Sequence, residues 1–148
     1  MASREVVVTS TPAPFEQIVV AGPHSLIADE PVAAGGADAG PDPYDLLLAA
    51  LGTCTSMTMK MYARRKDWPL QRVTVSLSHE RLHPEDCAQC EGGKRRVEEI
   101  KRHITVEGEL TAEQRTRLLE IANKCPVHQT LTARLVITTT LAEPGAAA

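Results

Sequence analysis

Asp42-Pro43-Tyr44-Asp45-Leu46-Leu47-Leu48-Ala49-Ala50-Leu51-Gly52-Thr53-Cys54-Thr55-Ser56-Met57-Thr58-Met59-Lys60-Met61-Tyr62-Ala63-Arg64-Arg65-Lys66 reads as one long helix. Asp42 is a capping residue, Pro43 suits the first helical position, and Asp45 stands three residues past the cap. Leu46 to Leu51 are apolar all round, the pattern of an interior helix with no face reserved for water. A helix over residues 43–66 would run roughly 36 Å, the width of a small domain. Midway, the composition changes to Gly52-Thr53-Cys54-Thr55-Ser56, a thiol among hydroxyls inside an aliphatic rod. Cys54 is therefore the candidate reactive centre. A free cysteine ordinarily behaves as a small buried hydrophobe, so reactivity requires a depressed pKa and access as well.

The 148 residues suit one domain with a real core. Sixteen Lys and Arg against 19 Asp and Glu leave a net charge of −3, with no basic surplus to point to nucleic acid. The absence of a spanning apolar run and of a signal-peptide pattern in Met1–Thr11 suggests a cytoplasmic protein with no membrane partner. In a reducing compartment its four cysteines read as redox-active or metal-binding, not as staples. Aromatic residues are only 3%, so the core must be aliphatic.

Ahead of the helix, Glu5–Thr9, Glu16–Val20 and Ser25–Ala28 are short apolar or β-branched runs separated by Pro- and Gly-containing turns, a strand meander. Pro31–Pro41 is a loop around Ala-Gly-Gly-Ala, and Trp68-Pro69 closes the helical region. Val73, Val75 and Leu77 alternate with Thr74, Ser76 and Ser78, a half-buried strand. Val97–Glu109 is a second strand with Ile100, Ile104 and Val106 on one face; the two form a hairpin around the polar excursion Pro84–Lys94. Arg95-Arg96 and Lys101-Arg102, offset by Glu98 and Glu99, read as a solvated strand face. Thr111-Ala112-Glu113-Gln114 is a capping box that opens a second helix, whose stripe runs Leu118, Ile121, Ala122, Cys125. Pro126–Leu131 suits a short helix starting at Cys125, and Arg134–Leu141 alternates as a last strand. The expected fold is α+β, with antiparallel sheets around two core helices in the order β-β-β-α-β-β-α-β. It forms a single domain over residues 1–141, with a disordered tail at 142–148.

Cys54 and Cys125 thus both sit on core-directed helices. Lys124, His128 and a helix N-terminus around Cys125 all favour a thiolate. The stretch Gly40–Cys54, together with Cys125-Pro126-Val127-His128 roughly seventy residues later, resembles the paired cysteine motifs of the OsmC/Ohr family, and the element order matches over nearly the whole chain. The resemblance implies an interlocked homodimer with two active sites at the interface, and an antioxidant peroxidase of the oxidative stress response that reduces organic hydroperoxides. It makes Cys54 the attacking thiol and Cys125 the resolving one, with a dithiol as reductant and no cofactor required. Attack on the O–O bond leaves a sulfenic acid, which the second thiol converts to a disulfide. Thr53 and Thr58 are candidates to hydrogen-bond the leaving oxygen.

The chain departs from that family at the groups that activate the thiol. The pattern places a glutamate ten residues before the attacking cysteine and an arginine in the N-terminal strands. Here position 44 is tyrosine with Asp45 beside it, and residues 5–41 contain no arginine, only Arg4 preceding them. Arg64 lies about 15 Å along the helix from Cys54, out of reach. Tyr44, Asp45 and His128 remain as supporting candidates. Asp45 would stand on the face opposite Cys54, so it either caps its own helix or acts from a partner subunit.

His83, Cys87 and Cys90 offer a second site. Cys-x-x-Cys with a nearby histidine presents the ligand types zinc prefers, with His79, Asp86, Glu91 or water as a fourth ligand. On a continuous strand His79 would stand about 13 Å from His83, which argues against it. A dithiol relay and an inert polar loop are the alternatives. Two other functions stay open: thiol–disulfide exchange on another substrate through Cys54 and Cys125, and a non-enzymatic redox- or metal-responsive module built on Cys87 and Cys90.

Overall fold

A computed structural model of the chain describes residues 4–82 and 97–145. The N-terminal runs form an antiparallel meander of β1 (Val6–Ser10), β2 (Gln17–Ala21) and β3 (His24–Ala28), paired from Val6↔Ala21 to Ser10↔Gln17 and from Gln17↔Ala28 to Ala21↔His24. Gly22, at φ 60°, supplies the left-handed residue of the tight β2–β3 turn. The buried Asp29 then gathers the loop that follows: its carboxylate accepts the N–H groups of Glu30, Ala37 and Ala39 at 2.8, 3.0 and 3.1 Å. The Ala39 bond is the main reason that its pKa lies below the usual carboxylate value; burial opposes it, and the Glu30 and Ala37 bonds reinforce it.

This loop delivers the chain to helix α1 (Pro43–Arg65). Asp42 and Asp45 form a reciprocal capping box, with Asp45 N–H donating to Asp42 Oδ1 at 2.8 Å and Asp42 N–H to Asp45 Oδ2 at 3.1 Å. A buried stripe of Leu51, Thr55, Met59 and Ala63 runs down α1 at four-residue spacing. Gly52 lies beside it because a Cβ there would come within 2.8 Å of Leu77 Cδ1 on the adjacent strand.

Strands β4 (Arg72–Leu82) and β5 (Val97–Glu107) form the expected hairpin, in register from Arg72↔Glu107 to Leu82↔Val97. Its inward face carries Val73 and Val75 from β4 and Ile104 and Val106 from β5. Thr111 and Gln114 cap helix α2 (Ala112–Ala122), whose Leu118 and Ala122 close on Met59 and Ala63 to make the core. Trp68, Leu70, Val73, Ile104 and Val106 pack around that cluster. Helix α3 (Pro126–Thr132) completes the regular structure.

Two expectations are corrected. The segment 134–141 carries no strand within this chain; it pairs with neither sheet and leaves Leu135, Val136, Ile137 and Leu141 exposed. A strand exists only through a ladder partner, and among the described residues none lies beside this segment. Nor is α1 interior on every side. Ala49, Ala50, Met57 and Met61 are open, and the three-stranded sheet makes no extensive contact with the helices or the hairpin.

Candidate active site

Helix α1 places Cys54 next to the buried stripe, half-buried, while Thr55 on the stripe itself is fully enclosed. Cys125 arrives by a different route. Helix α2 stops at Ala122, and Pro126 restarts the chain as α3 with Cys125 as its N-cap. Its sulfur takes the part usually played by a serine or aspartate oxygen, accepting the His128 N–H at 3.2 Å. Cys125 is fully buried, and both cysteines are free thiols.

The structure sets Cys54 close enough to Cys125 to help lower its pKa, and the Thr55 hydroxyl, on the next residue of α1, lies 3.8 Å from the Cys125 sulfur. Behind them stands Arg102 of β5. Its Nη1 donates to Thr55 Oγ1 at 2.9 Å and to the terminal α2 carbonyl of Ala122 at 3.3 Å. Its Nη2 donates to Asn123 Oδ1 at 2.8 Å and faces His128 Nδ1 at 3.4 Å. One guanidinium therefore ties α1, the end of α2 and the start of α3 around the sulfur. For the Cys125 thiol, burial is the largest influence and pushes its pKa up. The His128 N–H, the Cys54 and Thr55 hydrogen bonds and the Arg102 charge together outweigh it and hold it below the ordinary thiol value.

Arg102 is the residue that the sequence reading missed, taking it for part of a solvated face. The signal was present: Arg102 falls between Ile100 and Ile104 at the two-residue period, and so points inward with them. Lys124, expected to activate Cys125, is instead exposed and lines a groove of about 640 Å³ with Cys54, Met57, Met61, Ile121 and Val127. Thr53 and Thr58 line it as well, but the Thr53 hydroxyl is turned back to Ala49 C=O at 2.8 Å. The groove is mainly apolar and gives access to Cys54.

The other candidates are placed as follows. His128 serves through its backbone N–H and turns its ring to Arg102. Asp45 is committed to its capping box. Tyr44 stacks on His79 at 4.5 Å between ring centroids, and His79 Nε2 pairs with Glu98 Oε2 at 2.6 Å. Arg4 lies against Gly22, where a Cβ would meet its side chain at 3.1 Å. His83, Cys87 and Cys90 lie outside the described residues; among those described, no cluster of three or more His, Cys, Asp or Glu is arranged to hold a metal.

The lowered Cys125 pKa has a stability consequence with a definite sign. Between its folded value and the unfolded value of about 9, the unfolded chain binds the extra proton, so stability rises with pH. The urea midpoint of the wild type is expected to climb across that window and level off above it. The Cys125→Ser variant is expected to lack this part of the climb; identical slopes in the two proteins would contradict the assignment.

An antiparallel meander, a long cysteine-bearing helix, a hairpin and a second helix leading to a cysteine cap together define an OsmC-like α+β fold. The chain belongs to the OsmC family: the model for OsmC-like proteins matches residues 35–140. Its fold is similar to that of an OsmC-like protein from Mycoplasma pneumoniae, with a TM-score of 0.69, 17% identity, and 88% of this chain and 87% of that one covered. It is also similar to an organic hydroperoxide resistance protein from Elizabethkingia anophelis, with a TM-score of 0.65, 19% identity and 89% of each chain covered. A third, an OsmC organic hydroperoxide resistance protein from Legionella pneumophila, gives 0.63 at 16% identity, covering 89% of this chain and 92% of that one. A comparison with curated protein sequences returned no match. Among the described residues no helix is long and apolar enough to cross a membrane.

Proposed function

We propose that this protein is a thiol-dependent peroxidase acting on organic hydroperoxides, with Cys54 as the attacking thiol and Cys125 as the resolving one. The observation that carries the reading is that the groove-lining Cys54 adjoins Thr55, whose hydroxyl lies 3.8 Å from the buried Cys125 sulfur, and is one of the groups that hold the Cys125 pKa down. Family membership and neighbours named for hydroperoxide resistance support it. Cys54 attacks the outer peroxide oxygen and becomes a sulfenic acid while the alcohol departs. Cys125 then displaces hydroxide to give a disulfide, which a dithiol returns to the reduced pair. The apolar groove suits a hydrophobic peroxide over hydrogen peroxide. With dithiothreitol as donor, cumene hydroperoxide is expected to be consumed catalytically and at least about tenfold faster than hydrogen peroxide, a gap of some 1.4 kcal/mol. No consumption by protein with intact thiols would contradict the reading.

The working unit in this reading is a homodimer. Exposed valines on β1, the open face of α1 and the unpaired segment 134–141 are surfaces that a second copy would cover and pair. Sedimentation equilibrium is expected to give twice the 16.0 kDa chain mass at micromolar concentration; a stable monomer would contradict the dimer.

A further inference from the structure

A second cavity, of about 430 Å³, lies on the other side of the Cys125 turn from the groove and shares no lining residue with it. Lys124, Pro126 and Val127 of the turn line the groove, whereas Asn123 and His128 line the cavity. Its apolar walls are Ile100, Ile104, Leu119 and Leu131, and Arg102 and Glu98 open on it as well. Arg102 is half-buried and takes part in none of the ion pairs among the described residues. None of its four Nη bonds goes to a carboxylate; they go to Thr55 Oγ1, Ala122 C=O, Asn123 Oδ1 and His128 Nδ1. A charge drawn out of water is ordinarily paired, and this one borders the cavity without a counter-anion. A guanidinium only donates, so it also fixes what its two side-chain partners can do. Asn123 turns its Oδ1 to Nη2, which leaves its Nδ2 hydrogens with no acceptor among the described residues. His128 accepts at Nδ1, so its neutral ring carries the hydrogen on Nε2. Two unused donors thus stand beside the cation. The carboxylate of Glu98 is held by His79 at 2.6 Å and Arg81 at 3.4 Å, four residues or about 13 Å along β5 from Arg102.

We propose that this cavity is a binding site for a small monocarboxylate with an apolar body. The carboxylate accepts from Asn123 Nδ2 and His128 Nε2 while Arg102 neutralises its charge, and the hydrocarbon part lies on Ile100, Ile104, Leu119 and Leu131. An apolar lining with a few convergent polar groups is the usual make-up of a small-ligand site. The same features exclude other occupants. A metal cation would meet Arg102, and no three His, Cys, Asp or Glu side chains converge on a point among the described residues. A dianion such as phosphate would take the cationic end but leave the apolar walls wet, and it would be opposed by the charge of Glu98. Because the site is separate from the Cys54 groove, its occupation does not depend on what reacts there.

Hexanoate is the probe, titrated into the full chain with binding read by NMR at the Asn123 side-chain amide and the His128 ring. Both signals are expected to shift saturably, while the Met57 and Met61 methyl signals of the groove stay in place. Hexanol has the same body without the charge, and inorganic phosphate has charge without the body. Each is expected to bind at least about tenfold more weakly, a gap of about 1.4 kcal/mol. Arg102→Gln is expected to weaken hexanoate by about the same factor. Asn123→Asp covers the case in which that variant does not fold, since Asn123 is exposed and aspartate keeps an oxygen on Nη2. It sets a fixed carboxylate against Arg102 and is expected to abolish hexanoate binding. Four results would each overturn the proposal: no saturable shift, saturation at Met57 and Met61 instead, equal affinity for hexanol or phosphate, or undiminished binding in Asn123→Asp.

Discussion

Cys54→Ser is expected to abolish peroxide consumption, a loss of more than about a thousandfold, because a serine hydroxyl at neutral pH cannot reduce an O–O bond and among the described residues no other cysteine lines the groove. Cys125 cannot stand in for it, since its sulfur is fully buried behind α1. Cys125→Ser is expected to fail differently. With no thiol donor present, its Cys54 still reacts once and stays as a sulfenic acid that dimedone traps. Excess peroxide then drives it to the sulfinic form, because the partner that would have closed the disulfide is missing. Without a donor, consumption therefore ends after one equivalent with no disulfide formed, whereas the wild type ends as the disulfide. The two variants can be separated by peroxide consumption and intact mass. Identical end products from Cys125→Ser and the wild type would mean that Cys125 has no part in the cycle.

The second large effect lies in the core. Leu118 is completely buried between Met59, Ala63 and Ala122, with Ile104 and Val106 of β5 packed around the cluster. Leu118→Ala removes three carbon atoms where α1, α2 and the hairpin meet, and is expected to cost about 2–5 kcal/mol. That is a large part of the roughly 5–15 kcal/mol that holds a typical domain together. Its neighbour Leu119 is 59% exposed, so Leu119→Ala should stay within about 0.5 kcal/mol of the wild type in the same urea titration. Activity should fall with Leu118→Ala as well, since the Ala122 carbonyl is one of the groups that anchor Arg102. A loss under 1 kcal/mol would mean that the two helices are held together by something other than this cluster.

Most of the fold was legible because each element carries its own local signal. The Asp42–Asp45 and Thr111–Gln114 boxes mark helix starts by spacing alone, and the alternation through Val73, Val75 and Leu77 marks a strand in the same way. The last expected strand shows where such signals stop. Alternation over 134–141 is a property of the segment, whereas a ladder is a property of two segments, and among the described residues no second one pairs with it. The apolar belt of α1 follows the same logic: Ala49 and Ala50 are hydrophobic in sequence yet exposed, because periodicity marks a face as apolar without saying what packs on it.

The site was half legible. Cys54 stands out by its composition and Cys125 by the proline and histidine after it, and the residue after Cys54, Thr55, reaches to 3.8 Å from the Cys125 sulfur. Arg102 is hidden by its neighbours in sequence: with Lys101 beside it and Glu98 and Glu99 close by, it resembles a solvated pair. Strand geometry sends Lys101 outward to Glu80 at 2.9 Å and Arg102 inward to Thr55. Arg102 on β5 thus supplies a positive charge near Cys125, while residues 5–41 contain no arginine. Asp45 and Tyr44 are candidates by their distance along the chain from Cys54, but their partners are Asp42 and His79.

The account depends on Cys54 and Cys125 being one redox pair, and disulfide mapping tests that directly. Reduced protein treated with one equivalent of cumene hydroperoxide, then alkylated and digested without reductant, should yield a single new cross-linked peptide pair joining Cys54 to Cys125. Recovery of both cysteines as separate alkylated peptides after the peroxide has been consumed would contradict it.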